Sequence, residues 1–303
     1  MRYTGFTVHG MDFGRILQIV FTGLIMGGIY ALVAVGLNLI YGTMRLLNIA
    51  HGEIIMIGAY VAYWLFTAYG ISPFLSLLIS AFVTVVVGLI ICKVIFLPMV
   101  RSGKSEESIQ SNSLLLFFAI SIIVTNVVIL IWTADIRGYS YLTGVVHILS
   151  VPVMLNRLNA FLVALVICVI AYFFIQKTML GKAIRALIQE RTAAKLVGIN
   201  SDRLYLVSFM MAFGIAGLTG ALLSMIYELS PFMGFPYTIT AFVVIVLGGL
   251  GNVLGSLIAG FIFGFVETVG ISVTSPGLQS IISYGVFIGV ILYRPKGIFG
   301  KGL

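Results

Sequence analysis

The chain has 303 residues, of which 61% are hydrophobic and only 9% charged. Soluble domains carry about 25% charged residues, so this composition excludes a soluble enzyme or binding module as the whole chain. The formal net charge of +8 would suit nucleic acid, but the basic residues flank apolar runs, which reports membrane orientation and excludes nucleic acid as a partner.

A spanning helix needs about 20 apolar residues, because it rises about 1.5 Å per residue through hydrocarbon about 30 Å thick. In chain order the candidate segments are 16–40, 53–69, 74–92, 113–132, 160–176, 204–227, 238–247, 253–271 and 277–293. The expected fold class is all-α: a polytopic transmembrane helical bundle of about 8–9 spans, some broken or re-entrant. It is expected to form a single domain over 1–303 embedded in the lipid bilayer. Segment 238–247 is too short to cross unless the glycine-rich turn after it lies inside the membrane.

Arg2, Asp12 and Arg15 precede the first run. That run is too long for a signal-peptide core and ends in no cleavage site, so it reads as the first permanent span. Next comes 36–60, in which Asn38, Arg45, Asn48, His51 and Glu53 crowd among apolar residues with Gly36, Gly42 and Gly52 between them. Polar groups at membrane depth need partners, water or a protein interior, and bent backbone is tolerated there only beside protein or a cavity. The cluster Asn38, Asn48, His51 and Glu53 is therefore expected to face protein or a translocation path; a short surface turn is the competing reading.

Loop 93–112 carries Lys93, Arg101 and Lys104, and the tail carries Arg294, Lys296 and Lys301. Loop 177–203 holds Lys177, Lys182, Arg185, Arg191, Lys195 and Arg203 against Glu190 and Asp202. These segments are assigned to the cytoplasmic side, with a cytoplasmic C-terminus, and parity then puts the N-terminus outside. Within 177–203, helix-favouring residues run to a stop at Gly198, and Ile184, Leu187 and Ile188 form an apolar strip. The strip suits a groove on a soluble partner; a helix resting on anionic lipid is the alternative.

Region 247–252 (LGGLGN) reads either as an exposed turn or as a second break. Small residues four apart form ladders: Ala212, Ala216, Gly220 and Ser224, then Gly251, Gly255 and Ala259, and Ser256, Gly260 and Gly264. Helices approach closely along such faces, within one bundle or between two subunits. Cys92 and Cys168 have no metal spacing and read as packing residues. Gly103-Lys104-Ser105 ends like a phosphate loop, but Pro98 stands where its first glycine belongs, and no nucleophile–base set is present. The chain is thus read as non-catalytic, with no cofactor of its own.

Four blocks carry a resemblance: GGIYALVAVGLNLIYGTMRLLNIAHGEIIMIGAYVA (27–62), GKAIRALIQERTAAKLVGINSDRLYLVSFMMAFGIAGLTGALL (181–223), VLGGLGNVLGSLIAGFIFGFVE (246–267) and LYRPKGIFG (292–300). Together they resemble the branched-chain amino acid ABC transporter permeases of the LivH/LivM type. The resemblance implies a multi-pass protein of the bacterial inner membrane. Its implied partners are a second, LivM-like permease, two cytoplasmic ATPases that bind ATP and Mg²⁺, and an extracytoplasmic binding protein. It makes 177–203 the coupling loop. Thr192, Ala193, Ala194 and Gly198 fit the permease coupling motif, with Thr192 in place of its Glu, Glu190 two residues earlier, and Arg185 in the same helix. The alternatives are a same-family permease for urea, an amide or a sugar, or an ion-coupled carrier or channel using Glu53, Glu228 or Glu267.

Overall fold

The computed structural model describes residues 13–102, 105–149, 151–273 and 279–300. The expectations placed on Arg2, Asp12, Gly103, Lys104, Lys301 and the N-terminal side lie outside the described residues, as does the start of segment 277–293. Among the described residues, seven helices are long and apolar enough to cross a membrane, and two shorter apolar helices accompany them. The molecule is the polytopic helical bundle that its composition implies.

Helix α1 (Phe13–Met44) is the central post. It is apolar all round, as a helix surrounded by protein must be, and the residues from Ile29 to Ile40 are buried. It packs on α11 (Val253–Val273), α9 (Ser201–Ser224), α6 (Leu155–Lys177) and α10 (Gly234–Gly248). The small-residue ladders are used here. A Cβ on Gly260 would meet Ala31, one on Gly264 would meet Gly27, and one on Gly220 would meet Ile55 and Ala59 of α2 (His51–Tyr69). A Cβ on Gly255 would meet Gly248, so all three ladders are engaged inside this chain.

Two boundaries differ from the hydropathy reading. Helix α3 (Pro73–Ile91) does not stop at 92 but continues through a π-helical turn at Cys92–Phe96 into α4 (Leu97–Arg101). Pro98 lacks an N–H and cannot close the usual bond to residue 94, so the ladder widens just before it. Helix α5 then starts at Glu106 and runs to Trp132. The polar connection expected over 93–112 is mostly helix. At the other end, 133–159 holds a hairpin, β1 (Val145–Ile148) against β2 (Val151–Met154), with Val145 opposite Met154. Val151 and Val153 turn inward onto Ile25, so the hairpin caps the start of α1.

Short helices α7 (Met179–Gln189) and α8 (Arg191–Leu196) lie between α6 and α9, and α12 (Gln279–Tyr293) packs on α11 and α10. The basic segments gather at one end of the bundle. Arg101 pairs with Asp202 at 2.6 Å, Gln110 donates to the Arg45 carbonyl at 2.9 Å, and Arg191 donates to the Thr43 carbonyl at 3.2 Å. The tail joins the same end, where Ile298 N–H donates to the Leu247 carbonyl and Asn252 donates to the Phe299 carbonyl.

Candidate functional site

The first special region is a re-entrant turn. Glycines 36 and 42 do not break α1, which runs on to Met44; the break is 45–50, opened by Arg45 at φ 55. Helix α2 then starts deep in the bundle. The His51 ring lies 3.2 Å (Nε2) from the Val33 carbonyl. Val33 stands eleven residues before the end of α1, which is about 16 Å of helix. The chain has therefore turned back into the bundle before α2 begins.

Helix α10 starts at the same depth. It has only 15 residues, about 22 Å of helix, too short to cross on its own. The segment 225–233 carries the chain inward to it from the far end, where Leu229 bridges Arg137. This corrects the idea that the glycine-rich turn after α10 lies within the membrane: 249–252 is a turn at the basic end, packed against residues 299–300.

The N-termini of α2 and α10 meet. Gly52 N–H donates to Thr238 Oγ1 at 2.8 Å, and Thr238 Oγ1 donates to the Ile49 carbonyl at 3.0 Å. A Cβ on Gly52 would overlap the Gly234 carbonyl, and one on Gly234 would stand 2.5 Å from Glu53 Oε2. Only glycine permits this approach. Glu53, in the first turn of α2, is 3% exposed and accepts a 2.6 Å hydrogen bond from Ser121 of α5. Its carboxylate thus sits against the positive ends of two helices, which favour an anion there.

Of the four residues singled out in the sequence, Asn48, His51 and Glu53 come together at this joint, and Asn38 does not. Asn38 ties α1 to α11 instead, donating to Ser256 Oγ at 2.5 Å and accepting from Gly251 N–H at 2.7 Å. All four are enclosed by protein in this conformation. Sequence reasoning missed Ser121 and Thr238, which sit in ordinary apolar helices with no local signal, and read Ser256 only as a small packing residue.

The loop 177–203 is a bracket. Thr178 caps α7, accepting from Gly181 N–H at 3.0 Å. The apolar strip faces inward, contrary to the expectation that it waits for a partner: Ile184 and Leu187 are fully buried, and Ile188 lies against Gly42 and Gly251. Arg185 holds Gln176 at 2.8 Å, and Glu190 caps α8 by accepting from Thr192 N–H at 3.1 Å. Ala194 is buried, whereas Thr192, Ala193 and Lys195 are exposed. Leu196 and Val197 are 84% and 76% exposed. Gly198, at φ 83, stops α8 in the left-handed region that a side chain disfavours.

A sequence model of the family described as "Branched-chain amino acid transport system / permease component" matches residues 19–291. The chain is 29% identical over 294 residues to the high-affinity branched-chain amino acid transport system permease protein LivH of Escherichia coli (strain K12), covering 94% of this chain and 96% of that one. It is 29% identical over 300 residues to the permease protein BraD of Pseudomonas aeruginosa, with the same coverage. It is 23% identical over 275 residues to the fructose import permease protein FruG of Bifidobacterium longum, covering 84% of this chain and 76% of that one. No solved structure matches.

Proposed function

Since the chain belongs to the branched-chain amino acid transport system permease family, we propose that it is one membrane-spanning subunit of an ATP-driven importer of branched-chain, hydrophobic amino acids in the bacterial inner membrane. The chain itself is non-catalytic. It works with a second, LivM-like permease, with two ATPases that carry ATP and Mg²⁺, and with an extracytoplasmic binding protein that delivers the ligand. The basic end, including the C-terminal tail, is cytoplasmic.

The observation that carries this reading is the construction of 177–203. One side is wedged through Ile184, Leu187 and Ile188 against the end of α1 and the 249–252 turn. The other side offers Thr192, Ala193, Leu196 and Val197 outward. Such a bracket transmits a push. An ATPase that grips the outer side moves the end of α1, and α1 carries the 45–50 turn and the joint between α2 and α10. Closure of two ATPases on each other then biases the bundle between its outward- and inward-open states. Of the polar cluster, Asn48, His51 and Glu53 stand at the joint that this motion would work, beside the path, while Asn38 ties α1 to α11.

The test is co-expression with a tagged partner permease and both ATPases, mass measurement of the intact complex, and uptake into proteoliposomes. Leucine uptake that requires ATP and the binding protein supports the reading; uptake by this chain alone without ATP contradicts it. Ala193→Asp is expected to leave the chain in the membrane but abolish ligand-stimulated ATP hydrolysis. Full stimulation in that variant removes the coupling role. A second reading, import of another small solute such as a sugar, draws on the likeness to FruG; the ligand held by the cognate binding protein decides between them.

A further inference from the structure

At its basic end the chain encloses a cavity of about 330 Å³. Pockets that hold small ligands begin at about 300 Å³, so it is large enough for one. It lies where three helices end: α1 at Met44, α10 at Gly248 and α12 at Tyr293. The turn 249–252 and the tail 295–300 contribute to its walls, and so does Ile188 of α7. The helix ends of a spanning bundle stand where hydrocarbon gives way to lipid headgroups. Leu292 and Tyr293, just before the tail, are both largely exposed, an apolar and an aromatic side chain at that boundary.

The charged lining of this cavity is basic. Arg45 directly follows α1, at φ 55, in the left-handed region where a glycine is easier to place. Lys296 comes from the tail. Among the described residues neither side chain has a hydrogen-bond or ion-pair partner, and no carboxylate lines the cavity. Two acids of this end are engaged elsewhere: Asp202 pairs with Arg101, and Glu190 caps α8. Two cations at one cavity repel each other, and an anion between them removes that cost. Tyr41 of α1 lines the same cavity, and its hydroxyl is a further donor. A planar guanidinium fork, an ammonium and a hydroxyl together suit the several oxygens of a phosphate group.

We propose that this cavity binds a phosphate group, carried on an anionic phospholipid headgroup or free in solution, with Arg45 and Lys296 sharing its charge and Tyr41 donating a further hydrogen bond. Basic pockets between helices at a membrane surface suit anionic headgroups, and the exposed Leu292 and Tyr293 favour the lipid as the source. The bound group ties the end of α1 to the tail. It does so beside Ile188, through which the bracket 177–203 meets Gly42 and Gly251. The site does not depend on which solute the chain carries.

The experiment uses the full-length chain, purified in detergent with the subunits that accompany it and stripped of lipid. Native mass spectrometry then follows the retention of phosphatidylglycerol, of phosphatidylcholine as the lipid without net charge, and of glycerophosphate as the headgroup without acyl chains. The wild type is expected to retain phosphatidylglycerol at least about tenfold more tightly than the double variant Arg45→Gln with Lys296→Gln, each single variant lying between them. Phosphatidylcholine is expected to bind all four alike. Glycerophosphate that displaces the lipid at similar concentration assigns the site to the phosphate group alone; displacement only in large excess assigns it to the lipid, and both results support the site. Equal retention of phosphatidylglycerol by wild type and double variant overturns it. Loss of accompanying ATPases from the double variant would make the cavity a docking surface for protein and also overturns it. A second arm needs no variant. Phosphatidylglycerol, unlike phosphatidylcholine, is expected to slow acetylation of wild-type Lys296, read by peptide mass spectrometry, with the exposed Lys195 as the unshielded reference. Equal acetylation of Lys296 in the two lipids contradicts the site.

Discussion

Two glutamates in spanning helices of this chain have been treated oppositely. Glu53 is 3% exposed, held by Ser121 and set against two helix N-termini. Glu267 is half-buried, bonded by Tyr30 of α1 and within electrostatic reach of tyrosines from three further segments. The first carboxylate is set where two helices begin; the second, with one oxygen buried, ties two helices side by side. The difference teaches that an acidic residue within a membrane domain has no single meaning: one serves a joint between helix starts, the other a contact along two helix flanks.

The sharpest way to break the comparison is to disturb the enclosed side. Gly52→Val places a side chain where the Gly234 carbonyl stands. Backbone cannot yield there as a flexible side chain would, so the expected loss is about 3 kcal/mol or more. Size-exclusion chromatography of the detergent-solubilised complex should show little folded protein; a normal profile would mean that α2 and α10 are not joined as described. Ser121→Ala comes next. It removes the donor to Glu53 Oε1 and leaves a buried acceptor short of a partner, with an expected cost of about 1–3 kcal/mol. A thermal unfolding midpoint unchanged from wild type would show that Glu53 is solvated and not sealed. Glu267→Gln keeps an oxygen that can accept from the Tyr30 hydroxyl, so it should cost less than Ser121→Ala, about 0–1 kcal/mol. Equal destabilisation by Ser121→Ala and Glu267→Gln would erase the contrast between the two sites. The smallest effect is expected at Arg101→Ala, which removes the exposed pair with Asp202 at the basic end; the expected loss is about 0–1 kcal/mol, measured in the same unfolding assay.

The helices of this molecule were legible in its sequence because long uncharged apolar runs have few other ways to satisfy their backbone in lipid. What escaped was set by contacts distant in sequence. The run 93–112 looked like a loop because of Lys93, Arg101 and Lys104, yet helix continues through Arg101: charge at a membrane surface does not unmake a helix, and the one local disturbance, at Pro98, is absorbed by a wider turn. Gly36 and Gly42 suggested a break where α1 is unbroken, and Gly36 instead makes room for the His51 ring. The strip Ile184, Leu187 and Ile188 had the period of a docking face, but the same pattern serves an internal face, and the chain's own α1 occupies it. Asn38 was correctly singled out as needing a partner, but Ser256, 218 residues away, was legible only as a small residue in a ladder, with nothing to pair it with Asn38. Glu267 was visible only as a titratable residue in a span, because its tyrosines come from four separate elements.

The claim that Glu53 is sealed where α2 and α10 begin is tested most directly by thiol labelling. Glu53→Cys and, as the exposed reference, Thr192→Cys are made in a background where the buried Cys92 and Cys168 are replaced by serine or alanine. The assembled complex in detergent is then treated with a water-soluble thiol reagent. The account predicts rapid labelling at position 192 and none at position 53. Labelling at 53 as fast as at 192 would contradict the sealed joint.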